Sequence, residues 1–161
     1  MLRAMKRSMP PASTASPLDA HLGYWLRLVS NHVSQGFARK VEAAGVTVAE
    51  WVLLRALFDR PALPPSALAD ALGLTRGAIS KLADRLERKS LLERHADKSD
   101  GRSHALRLTR PGRALVPRLA ALADANDAEF FAALSPDERQ ALDAALRKLA
   151  RHHALTHAPI D

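Results

Sequence analysis

The chain has 161 residues, enough for one domain with a real core, and its apolar 47% is mostly Leu and Ala, which favours helix. It contains no cysteine, which excludes disulfides, thiolate metal sites and cysteine-based redox sensing. Its net charge is +7, and no run of about 18 apolar residues offers a transmembrane helix.

Residues 1–17 carry Arg3, Lys6 and Arg7 and no acid. They lack the apolar stretch of a signal peptide and read as a disordered basic arm, with a cytoplasmic location expected. Residues 18–43 predict a long helix, because Leu18, Leu22, Trp25, Val29, Val33, Phe37 and Val41 recur every three or four positions. Gly45 follows as its stop. One apolar stripe on so long a helix needs a partner, either the rest of the chain or a second subunit.

Thr47 and Glu50 form a capping box, with Val46 and Trp51 placed as a hydrophobic staple, so a second helix starts at about 48 and ends near Phe58. Pro61, Pro64 and Pro65 break the chain after it. Pro65 to about Leu72 reads as a short third helix. Gly73 gives a turn, and Thr75 caps a fourth helix reaching Lys89.

Two short strands follow, 91–95 and 105–109, joined by a polar stretch containing Asp100-Gly101. Thr109 caps a fifth helix running to about Phe131, with a kink expected at Pro117. Ser135-Pro136-Asp137-Glu138 opens a sixth helix. The expected fold is mainly α with a small two-stranded β-wing, within a single domain 18–161.

The segment from Pro65 to Leu82 carries the chemistry. Helices that cross closely need a small residue at the contact, and Ala69 supplies it. The tight turn needs positive φ, which Gly73 accepts. Leu68, Leu72, Leu74, Ile79 and Leu82 are the apolar pegs between the two helices. This is the helix-turn-helix pattern. Residues 76–113 hold a net +6, whereas 18–75 are neutral and 114–161 hold −2, a footprint suited to nucleic acid.

The second helix of such a motif enters the major groove. Its outward set includes Thr75, Arg76, Gly77, Ser80, Lys81, Asp84 and Arg85. Arg76 and Lys81 can donate to guanine O6 and N7, Ser80 can meet base or phosphate, and Gly77 permits close approach. Arg88 and Lys89 are read as solvated or phosphate-facing. At the hairpin tip, Lys98, Asp100 and Arg102 are candidates for the minor groove, with Asp100 bracing Arg102.

Leu91-Leu92-Glu93-Arg94, then Asp97-Lys98-Ser99-Asp100-Gly101-Arg102, then Leu106 to Arg113 resemble the wing signature of MarR-type regulators. The resemblance spans about residues 18–153. It implies a winged helix-turn-helix at about 47–110 with dimerisation helices at about 18–43 and 110–155, hence a homodimer reading a pseudo-palindromic operator in double-stranded DNA, usually as a repressor, and a small aromatic or phenolic effector. The pocket it implies, near helices 1, 2 and 5, has His21, Tyr24, Trp25, Trp51 and Arg55 as candidates. Ser90 departs from the glycine usual before the first wing strand, and is strained if that position needs positive φ.

No cofactor or metal is expected. His152, His153 and His157 lack an accompanying carboxylate cluster, and His95 and His104 are read as a cross-strand pair. No phosphate loop or nucleophile elbow suggests an enzyme. Two other readings compete: a winged helix that docks protein, and a non-specific architectural DNA binder.

Overall fold

The computed structural model describes residues 15–96 and 104–158. The chain divides into two compact units, Met1–His32 and Val33–Asp161, with the boundary inside the first helix.

In the first unit a 3-10 turn, Leu18–Ala20, precedes the start of α1 (Leu22–Ala43). The predicted helix thus begins four residues late. The turn is tied locally: the Trp25 indole N–H donates to the Asp19 carbonyl at 2.8 Å, and His21 Nδ1 donates to the Pro17 carbonyl at 3.2 Å. Tyr24 packs edge-on against Trp25. The apolar stripe foreseen here is bare, with Leu22 81% and Trp25 48% exposed.

The second unit holds the core. α1 ends in a Schellman arrangement, with Gly45 at φ +88° and the Val46 amide donating to the Val41 carbonyl. α2 (Val48–Phe58) carries the capping box in full: Thr47 Oγ1 accepts from the Glu50 amide, and Glu50 accepts from the Thr47 amide. α3 (Pro65–Leu72) and α4 (Arg76–Arg88) meet across Gly73 at φ +65°. β1 (Leu92–Ala96) pairs antiparallel with β2 (His104–Leu108). α5 (Arg110–Phe130) starts at the Thr109 cap and continues through Pro117, and α6 (Pro136–His152) starts at the Ser135–Glu138 box.

The core gathers Leu53, Leu54 and Leu57 of α2, Leu68 and Ala69 of α3, and Ile79, Leu82, Ala83 and Leu86 of α4. These pack with Leu92, Leu106, Leu108, Val116 and Leu119. Burying each leucine side chain is worth about 1.5–3 kcal/mol. α6 buries no residue, and Leu146 and Leu149 on it stand open to solvent.

Three sequence expectations are corrected. Each wing strand is displaced by one residue, β1 toward the tip and β2 away from the cap. His95 stands opposite Ala105, and His104 opposite Ala96, so the two histidines lie on opposite faces and form no cross-strand pair. Leu63, placed by sequence in a proline-rich break, exchanges both backbone hydrogen bonds with Leu106 (3.0 and 2.7 Å) and thereby pairs the free edge of β2.

α4 ends in a second Schellman arrangement, in which the Ser90 amide donates to Glu87 and the Leu91 amide to Leu86. Ser90 occupies the left-handed position at φ +58°. An L side chain there costs about 1–2 kcal/mol, partly offset by glycine's greater freedom in the unfolded chain. Ser90→Gly is therefore expected to stabilise the fold by about 0.5–1 kcal/mol, a rise in Tm of roughly 1–4 °C by calorimetry. An unchanged or lower Tm would contradict the strain.

Candidate nucleic-acid interface

Local rules set which face of α4 stands open. Thr75 takes an extended conformation, and its hydroxyl accepts from the Ala78 amide at 3.1 Å, so α4 starts at Arg76. With Ile79, Leu82, Ala83 and Leu86 buried, the helical period turns the opposite face outward. Thr75, Arg76, Gly77, Ser80, Lys81, Asp84, Arg85 and Arg88 are all exposed. The structure thus brings six predicted residues, Thr75, Arg76, Gly77, Ser80, Lys81 and Arg85, onto one side of one helix. Its N-terminus adds the positive end of the helix dipole, which favours phosphate.

Lys98, Asp100 and Arg102 lie outside the described residues. The base of the wing is held by Arg107, whose Nε donates to Glu93 at 2.6 Å across the strands.

Two charged residues do work that sequence reading missed. Arg94 leaves β1 to meet two acids of α4: its Nη2 donates to Asp84 at 2.6 Å, and its Nη1 donates to Glu87. The Asp84 hydrogen bond chiefly raises the Arg94 pKa above its ordinary value, with burial opposing and the Glu87 charge assisting. Lys89, expected to face solvent or phosphate, instead turns inward. Its Nζ donates to Glu50 at 2.6 Å and to the Gly45 carbonyl at 2.9 Å. The correction has a simple cause: Glu50 is 1% exposed, and a buried carboxylate needs a counter-charge.

The residues proposed for an effector pocket fall in both units. His21, Tyr24 and Trp25 belong to the first, and all three are exposed. In the second, Trp51 and Arg55 line a groove of about 410 Å³ with Val52, Ala56, Asp59, Arg60 and Leu72. Trp51 is half-buried and meets Phe37 edge-on, while Arg55 pairs with Asp59 at 2.5 Å. Among the described residues no group of three or more His, Cys, Asp or Glu is placed to hold a metal. No described helix is long and apolar enough to cross a membrane.

A family model described as MarR family matches residues 46–104, from the α1–α2 turn to the start of β2. The chain is 33% identical over 144 residues to a putative transcriptional regulatory protein for the hcr operon of Thauera aromatica, covering 89% of this chain and 87% of that one. It is similar in structure to MepR of S. aureus, solved as a DNA complex (TM-score 0.71, 28% identity, 82% and 98% coverage). It is also similar to BpsR of Bordetella bronchiseptica, whose DNA binding is regulated by 6-hydroxynicotinic acid (TM-score 0.72, 27% identity, 84% and 97% coverage).

Proposed function

The chain belongs to the MarR family, and from that premise we propose that it regulates transcription as a homodimer bound to a pseudo-palindromic operator. The observation that carries this is α4: its cap, its buried leucines and its exposed cationic face form one surface of the shape that enters a major groove. Arg76 and Lys81 are assigned to base edges, Thr75, Ser80 and Arg85 to base or phosphate, and Gly77 to close approach. Lys98, Asp100 and Arg102 are assigned to the wing contact from their place in the sequence.

A second copy is the partner that the bare apolar side chains call for. Leu18, Leu22, Trp25 and Val29 in one unit and Phe130, Leu146 and Leu149 in the other are exposed, and large exposed apolar patches mark association surfaces. A small aromatic or phenolic effector that releases the DNA is the regulatory reading, supported by the relative that answers to 6-hydroxynicotinic acid. The groove at Trp51 and Arg55 supplies candidate contacts in the second unit; His21, Tyr24 and Trp25 are assigned to the effector from their place in the sequence alone.

The test is fluorescence anisotropy with the chain's own upstream promoter and a scrambled duplex, at roughly 50 and 200 mM salt. The expected preference for the promoter is about a thousandfold or more. Arg76→Ala should cost about 1–3 kcal/mol on the promoter and little on the scrambled duplex, whereas Arg102→Ala should weaken both. Equal binding to both duplexes would favour an architectural binder, and none to either would favour a protein-docking module.

A further inference from the structure

Asp84 stands on the exposed face of α4, three residues after Lys81 and four before Arg88. Those are the separations at which side chains on one helix meet. A carboxylate there has two ways of finding a cation. It can draw in Lys81 or Arg88 from its own helix, or accept one from outside.

The structure takes the second course. The Arg94 fork is shared between Asp84 and Glu87, and it comes from β1, ten residues beyond Asp84. Among the described residues, Lys81, Arg85 and Arg88 have no acidic partner. A planar guanidinium that two carboxylates hold is less mobile than a lysine swinging on a four-carbon stem, so the outside partner wins the competition.

We infer that Arg94 is a positioning residue for DNA recognition: by occupying Asp84 and Glu87 it keeps Lys81 and Arg88 available to the nucleic acid. The inference rests on the DNA-binding reading of α4. Arg94 itself need touch no DNA. Without it, Asp84 would be free to capture a neighbouring cation, and one phosphate would go unneutralised although every DNA-binding residue is still present.

The test compares wild type, Arg94→Met, and a triple variant adding Asp84→Asn and Glu87→Gln, by anisotropy on the promoter duplex over a salt series. Arg94→Met is expected to bind about three- to tenfold more weakly. Its log–log salt slope should be shallower by about one, the mark of one fewer phosphate neutralised by the protein. The triple variant has no clamp, but it has no competing carboxylate either, so both affinity and slope should return. A merely structural clamp would not be rescued by deleting its other half. Arg94→Met binding like wild type, or a triple variant as weak as the single, overturns the inference. Should the single variant prove unfolded by circular dichroism, the triple variant decides alone: wild-type affinity and slope support the inference, and weak binding overturns it. Wild type binding no duplex would instead overturn the DNA-binding reading, and this inference with it.

Discussion

Gly112→Ala is expected to destabilise the protein by about 3 kcal/mol, lowering Tm by roughly 6–12 °C. On propensity alone the change should help, since alanine is favoured over glycine by about 1 kcal/mol inside a helix. Packing reverses the sign. A Cβ at Gly112 would sit 1.9 Å from the Leu91 carbonyl oxygen and 2.9 Å from its carbon. Both obstacles are backbone, so no rotamer change clears them.

The approach is close because α5 begins against the end of α4. The Thr109 amide donates to the Leu91 carbonyl, the Thr109 hydroxyl donates to the Ser90 carbonyl, and Thr109 Oγ1 accepts from the Gly112 amide. Relieving the overlap means parting α5 from the residues that lead into the wing, so the two bonds from Thr109 to the Leu91 and Ser90 carbonyls would break together. Thermal melts of wild type and Gly112→Ala check this. A variant as stable as wild type would mean that the junction can open without cost, and that the helix start is not what anchors the base of the wing.

Local chemistry explains why so much of this fold is legible in the sequence. Thr47, Thr75, Thr109 and Ser135 each cap within three residues of themselves, so each helix start can be read from a short window. The buried face of α4 follows from helical period, and the exposed residues opposite it follow by subtraction. Ser90 is readable in another way, as a serine where the family resemblance calls for glycine, and it does adopt positive φ.

What escapes such reading depends on distant partners. Leu63 finds Leu106 and Lys89 finds Glu50 across some forty residues of chain, and no periodicity encodes such pairings. Arg94 is nearer to Asp84 and Glu87, but the turn of chain between α4 and β1 decides that they meet. Both wing strands end one residue nearer the tip because alternation in five-residue strands leaves their ends undetermined, and it is the register itself, with His95 opposite Ala105, that separates His95 from His104.

The second large effect is expected at Lys89. Lys89→Met should cost about 3 kcal/mol, because it strands the Glu50 carboxylate, 1% exposed, without its counter-charge. Lys89 is itself partly open, with 38% of its side chain accessible, so the penalty belongs mainly to the acid left behind. This predicts an asymmetry. Lys89→Met combined with Glu50→Gln should recover at least about 1 kcal/mol of the loss, since glutamine is neutral and its carbonyl can still accept from the Thr47 amide. Urea denaturation of the three proteins measures this. A single variant within about 0.5 kcal/mol of wild type, or a double variant no better than the single, would show that Glu50 does not depend on Lys89. The pair also bears on recognition. Lys89 closes the C-terminal end of α4 and holds it to the Gly45 carbonyl and to Glu50 in the first turn of α2. The double variant restores the charge balance but not that tether. If the tether orients α4, the double variant should bind promoter DNA more weakly than its recovered stability alone would suggest.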